Sequence, residues 1–204
     1  MRLAQKVEYI SSKLEKLYPN PDIPLDHENN FTFLIAVMLS AQSTDKKVNE
    51  ITPNLFSKAN SPKNMDKLSV EEIQSLIREI GLAPTKAKNI KKTSKLLLEK
   101  HNGVVPSTFE ELEELPGVGH KTASVIMSQA FGKSAFPVDT HIHRLAKRWK
   151  LSSGKSVKTT ENDLKRKFDE SLWNKLHLQM IFYGREYCQA RKKKCLCEIC
   201  ETVS

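Results

Sequence analysis

Residues 115–127 read LPGVGHKTASVIM. Pro116 fixes one φ angle, and Gly117 and Gly119 permit left-handed or crowded backbone. A helix is expected directly behind them. Its first amides lack intrahelical partners and carry partial positive charge. With so little side chain in the way, the backbone of Pro116, Gly117, Val118, Gly119 and His120 can approach a phosphate. Lys121 follows in the first helical turn. The helix dipole disfavours a cation there by about 0.3–1 kcal/mol, which favours the neutral, nucleophilic amine. The plainer readings are a tight turn and a solvated lysine. The Pro-Gly-x-Gly spacing immediately before the lysine favours the chemical one.

Such an amine works best beside a carboxylate. FPVDTH offers Asp139, eighteen residues on, at the start of the next helix. An aspartate there is expected to cap the helix, and a rigid cap can also act on a substrate. A separate chemistry is concentrated at the C-terminus. Cys188, Cys195, Cys197 and Cys200 are the chain's four cysteines, in CQARKKKCLCEIC. Clustered thiols outside an oxidising compartment favour a metal site over disulfides. Four thiolates suit an iron–sulfur cluster or tetrahedral zinc, and four free thiols are the third possibility.

The elements that must position these residues read as helices nearly throughout. In LAQKVEYISSKLEKLY, Leu3, Val7, Ile10, Leu14 and Leu17 mark one helical face. FTFLIAVMLSA is apolar all round, which predicts a fully buried helix. SVEEIQSLIREIGL opens with Ser69 and Glu72 in capping-box spacing and is expected to run to Gly81. TKAKNIKKTSKLLLEKHNG ends at Asn102-Gly103. STFEELEEL repeats the box with Ser107 and Glu110, and with the turn behind it forms a helix–hairpin–helix, a sequence-independent grip on a DNA backbone. Period-two alternation is absent. The fold class is all-α, about ten helices with short connections.

Lys and Arg outnumber Asp and Glu by 33 to 24, a net charge of +9, which fits an anionic partner or a basic solvated surface. No apolar run approaches the roughly 18–20 residues that span a bilayer. MRLAQKVEY has no signal-peptide core, so a cytoplasmic, nucleoid-associated protein without a membrane partner is expected.

LPGVGHKTA, then VDTH, then the cysteine-bearing C-terminus resembles the endonuclease III family of DNA glycosylase/AP lyases, within the helix–hairpin–helix–GPD superfamily. MLSAQSTD at 38–45 and IGLAPTKAKNI at 80–90 extend the likeness over nearly the whole chain. The resemblance implies a bifunctional base-excision enzyme acting on double-stranded DNA with damaged bases, oxidised pyrimidines foremost, or abasic sites. Lys121 would attack the sugar C1′ of a flipped-out nucleotide, expel the base and leave a Schiff base. β-Elimination would then cut 3′ to the lesion. Asp139 would activate the amine and stabilise charge on the sugar, and no catalytic metal is required. Gln42 would fill the space left by the base, and Leu82 would wedge at the opposite strand. Lys86 is expected to add a phosphate contact.

The resemblance also implies two helical domains flanking a DNA-binding cleft, 23–133 and 1–22 with 134–204, acting as a monomer. The four cysteines would hold a structural [4Fe–4S] cluster, turning Arg191, Lys192, Lys193 and Lys194 towards the DNA. Two departures stand out. The family's intervals of six, two and five residues between cysteines are six, one and two here, and Tyr183 stands where a histidine is expected. The alternatives are a helix–hairpin–helix protein that binds DNA without cutting it, an adenine-mispair glycosylase, and a small zinc protein. Lys121 with Asp139 argues against the first. The further C-terminal domain expected of the second is missing from the residues up to Ser204. The terminal position of the cysteines makes them accessory, against the third.

Overall fold

The computed structural model describes residues 1–191 and 195–203. They form helices α1 (Leu3–Leu17), α2 (Asn30–Ser40), α3 (Asp45–Lys58), α4 (Pro62–Met65), α5 (Val70–Leu76), α6 (Ala83–His101) and α7 (Phe109–Glu113), followed by α8 (His120–Val125), α9 (Thr140–Arg148), α10 (Val157–Lys165), α11 (Trp173–Glu186) and α12 (Glu198–Val203). A π-helical turn, Ile126–Ala130, extends α8, and a 3-10 turn, Glu170–Leu172, leads into α11. No strand occurs among the described residues, and the protein is all-α. No helix among them is long and apolar enough to cross a membrane.

The chain forms two compact units, Ile23–Phe131 and Met1–Asp22 with Gly132–Ser204. In the first, α2 is buried from Phe31 to Leu39 on every face, as its unbroken apolar sequence requires. Its N-terminus is fixed by Asn29, whose side chain accepts from the Thr32 amide at 2.9 Å. The long α6 packs against α4, α5 and α2, and α8 with its π turn also packs on α2. α2 and α6 are therefore the frame on which the turns at 41–44, 81–82 and 114–119 are mounted.

The second unit packs α9 and α1 on α11, α10 on α9 and α12 on α1. Its core gathers Ile10 and Leu14 with Phe136, Trp149, Met180 and Tyr183. Ile10 and Leu14 carry the buried stripe expected of α1, whereas Leu3, at the frayed N-terminal end, is exposed.

Local signals are refined in two places. Ser69 and Glu72 form the expected capping box, but α5 stops at Leu76, and turns carry the chain to Gly81. α7 begins one residue later than expected. Thr108 is its cap, accepting from the Glu111 amide at 3.3 Å. Both Ser107–Glu110 and Thr108–Glu111 offer the same spacing, so sequence alone does not separate them.

Candidate nucleic-acid and lyase site

The turn between α7 and α8 is held from beneath by α6. Thr93 donates from Oγ1 to the Pro116 carbonyl at 2.9 Å. Gly117 has φ +86°, and a Cβ on it would stand 2.7 Å from Asn89 Nδ2. A side chain is excluded there on both counts. Gly119, the N-cap of α8, is different. Its backbone is extended, and a Cβ would meet nothing within 4 Å. No neighbour in the protein demands glycine at 119.

Val118 corrects an expectation. Its side chain is buried, and its amide donates to the Leu115 carbonyl at 3.0 Å, so it braces the turn instead of facing a ligand. His120 turns its ring onto Phe109, with centroids 5.5 Å apart, and its Nδ1 lies 2.8 Å from Glu113 Oε1. Both contacts tie α8 back to α7. Lys121 is exposed in the first turn of α8. Intrahelical bonding of α8 begins with the Ala123 amide, which donates to the Gly119 carbonyl at 2.9 Å.

Asp139 caps α9. Its Oδ1 accepts from the Ile142 amide at 2.8 Å, and the residue is half-buried. The cap fixes the carboxylate while leaving its second oxygen for other work.

Gln42 and Leu82 share an unusual backbone. Their φ angles are +58° and +63°, left-handed values that cost a non-glycine residue energy, and both side chains are exposed. The two turns touch: a Cβ at Gly81 would lie 3.2 Å from the Gln42 carbonyl oxygen. Lys86 does not make the expected phosphate contact. It is buried, and its Nζ donates to the Leu39 carbonyl at 2.8 Å and to Ala41. Desolvation by burial lowers its pKa. The ammonium satisfies orphan carbonyls at the C-terminal end of α2 and so locks the Gln42 turn to the start of α6.

The four cysteines converge. Their Sγ atoms all lie within 4.8 Å of one another, a set that could hold a metal. Cys188 and Cys200 are buried and Cys195 and Cys197 half-buried. The bond from Cys200 holds the Cys188 thiol down to about 5 against its burial, with Arg148 and Cys195 adding to the effect, while its bond to Cys188 and its burial push Cys200 up. Metal binding would release the protons the thiols hold. Lys192, Lys193 and Lys194, expected to face DNA, lie outside the described residues.

Known proteins share this arrangement. A family model described as "HhH-GPD superfamily base excision DNA repair protein" matches residues 35–170. Endonuclease III of Escherichia coli (strain K12) is 42% identical over 210 residues, covering 100% of this chain and 99% of its own length. Endonuclease III of Bacillus subtilis (strain 168) is 42% identical over 192 residues, covering 94% and 88%. A solved structure of a trapped endonuclease III–DNA covalent intermediate, an estranged-adenine complex, superposes with a TM-score of 0.91 at 40% identity and covers 99% of each chain. The chain belongs to the endonuclease III family of base-excision DNA glycosylase/AP lyases.

Several supporting residues escape a motif reading. Thr93 and Asn89 lie mid-helix in a lysine-rich stretch, and only the fold brings them under the hairpin. Arg144 and Arg148, one turn apart on α9, both reach the first cysteine. Arg144 donates to the Cys188 carbonyl at 3.0 Å, and Arg148 to the Cys188 Sγ at 3.1 Å. Their i, i+4 spacing was the available signal. Tyr183, at the position where a histidine is expected, is buried. Its hydroxyl accepts from the Ile199 amide, two residues from Cys197. Its place is in the sulfur site.

Proposed function

We propose that Lys121 is the Schiff-base nucleophile of this enzyme and Asp139 its catalytic carboxylate. The carrying observation is an exposed amine in the first turn of α8, directly behind the bare Gly119 cap. A phosphate held by the hairpin backbone fixes the adjoining sugar, which converts attack by the amine into an intramolecular event. The amine bonds to C1′ as the base departs with the electrons of the glycosidic bond. The C1′–O4′ bond then breaks, its electrons going to O4′, to leave the Schiff base; this acidifies the C2′ proton, and β-elimination expels the 3′ phosphate and breaks the strand 3′ to the lesion. Asp139, held by its cap, takes up the amine's proton and opposes positive charge on the sugar.

The substrate is duplex DNA with an oxidised pyrimidine or an abasic site, bound by a monomer in the cytoplasm. The DNA-bound relative at 40% identity supports the partner. Gln42 and Leu82, both exposed and both in left-handed backbone, suit insertion where a base has left the stack at a cost of a few kcal/mol. The resemblance implies a [4Fe–4S] cluster on the four cysteines. Whatever metal they hold serves the fold, since no step of the reaction passes through it.

Borohydride trapping on duplexes carrying thymine glycol, an abasic site or mispaired adenine tests this reading. A covalent complex on the first two is expected. No complex on any duplex would overturn the lyase assignment, and a preference for mispaired adenine would move the substrate to that class.

A further inference from the structure

A metal's size is written into the spacing of its ligands. Four sulfurs bound at about 2.3 Å to one tetrahedral ion stand about 3.8 Å from one another. A cubane seats each thiolate on a different iron, and the iron–iron edges spread the sulfurs to about 6 Å. Here Cys188 and Cys200 are 3.8 Å apart, Cys188 and Cys195 3.3 Å, and no pair exceeds 4.8 Å. The last three cysteines are also close in sequence. One residue separates Cys195 from Cys197, and two separate Cys197 from Cys200 on the first turn of α12. Three of the four ligands are therefore confined to six consecutive residues, and the C-x-C step is shorter than the two-residue intervals of cluster-binding cysteine runs.

We infer that this branch of the family holds a single tetrahedral zinc ion on Cys188, Cys195, Cys197 and Cys200 in place of the [4Fe–4S] cluster. A closed tetrahedral set of four thiolates is a structural form of zinc site, and zinc, which has no redox chemistry, suits a purely structural role. The surrounding groups match the charge. Zinc with four thiolates carries two negative charges. The Arg148 guanidinium bonded to Cys188 offsets one of them. Donors of this kind orient ligating sulfurs and fix their basicity.

The ion's task is to close the C-terminal loop onto the second unit. α12 meets α1 there, with Glu198 paired to Lys13 and hydrogen-bonded to Tyr9. The inference does not depend on the Lys121 mechanism, and metal content is read independently of trapping.

The test is elemental analysis of the full chain, expressed in medium containing both iron and zinc and purified without oxygen. Colourless protein with close to one zinc per chain and no acid-labile sulfide is expected. Replacing the zinc with cobalt should produce the visible ligand-field bands of tetrahedral thiolate coordination, and Cys197→Ser should shift or abolish them. Yellow-brown protein with about four irons and labile sulfide would restore the cubane and overturn the inference. So would protein that holds no metal, a single iron, or cobalt in a geometry other than tetrahedral. If Cys197→Ser fails to fold, the wild-type metal count and cobalt spectrum still decide.

Discussion

The Lys86 ammonium donates to the carbonyl of Leu39, 2.8 Å away and 47 residues earlier in the chain. With its second bond to Ala41, it joins the end of α2 to the start of α6, and hence the Gln42 turn to the Leu82 turn. Methionine matches the length of this side chain but cannot donate. Lys86→Met should leave two buried carbonyls short of a partner and cost about 3 kcal/mol in urea unfolding. Discrimination between lesion-bearing and intact duplex should fall as well, because the Gln42 turn loses its anchor. A loss within about 0.5 kcal/mol, with discrimination intact, would show that water replaces the ammonium.

Lys121→Gln removes the amine and leaves the hairpin backbone untouched. Schiff-base trapping and strand cleavage should disappear, while binding to an abasic duplex stays within a few-fold of wild type. Near wild-type cleavage of abasic DNA by this variant would place the nucleophile elsewhere.

Asp139→Asn should separate capping from chemistry. Asparagine accepts from the Ile142 amide about as well as aspartate does, so the melting temperature should hold. Loss of a general base should lower turnover by about 100-fold or more. A large fall in melting temperature with turnover unchanged would reduce Asp139 to a cap.

The two hairpin glycines should respond differently. Gly117→Ala meets both a left-handed φ and the Asn89 side chain, and should destabilise the unit by about 1–2 kcal/mol. Gly119→Ala finds open space and extended backbone, so its stability cost should stay below about 1 kcal/mol. It should still weaken binding to damaged and intact duplex alike, since a backbone grip carries no sequence information. Melting curves and a binding titration on each variant suffice. Unchanged binding by Gly119→Ala would remove the phosphate from that position.

Stripping the metal from the cysteine site should lower the melting temperature by at least about 5 °C, because the loop then loses its tie to α1. Trapping on abasic DNA at a temperature where the stripped protein is still folded should persist. Its abolition there would give the metal a part in the reaction.

What could be read from the residues alone was local. The Pro-Gly-x-Gly turn, the Ser69–Glu72 box and the all-apolar α2 each state their structure within a dozen residues, and family resemblance added roles for Lys121 and Asp139. The destinations of long polar side chains could not be read. Lys86 lies in a basic stretch that resembles a phosphate-contacting surface, yet burial makes backbone carbonyls its partners. Arg148 reaches a sulfur 40 residues away. Val118 sits in the motif most suggestive of binding, and its own amide closes the turn. In each case the deciding partner is distant in sequence or is main chain, and neither carries a side-chain signature.

The pairing of α1 with α12 has a consequence for how the polypeptide leaves the ribosome. Ile23–Phe131 is one uninterrupted stretch and can finish folding while synthesis continues. α1 emerges first, but its apolar face, Ile10 and Leu14, belongs to a core whose remaining members are made last. At about 5–20 residues per second, that face waits roughly 10–40 seconds for α11 and α12. During that interval the apolar positions of α1 have no packing partners. Moving α1 to the C-terminus by circular permutation would abolish the wait without altering a single contact of the finished unit.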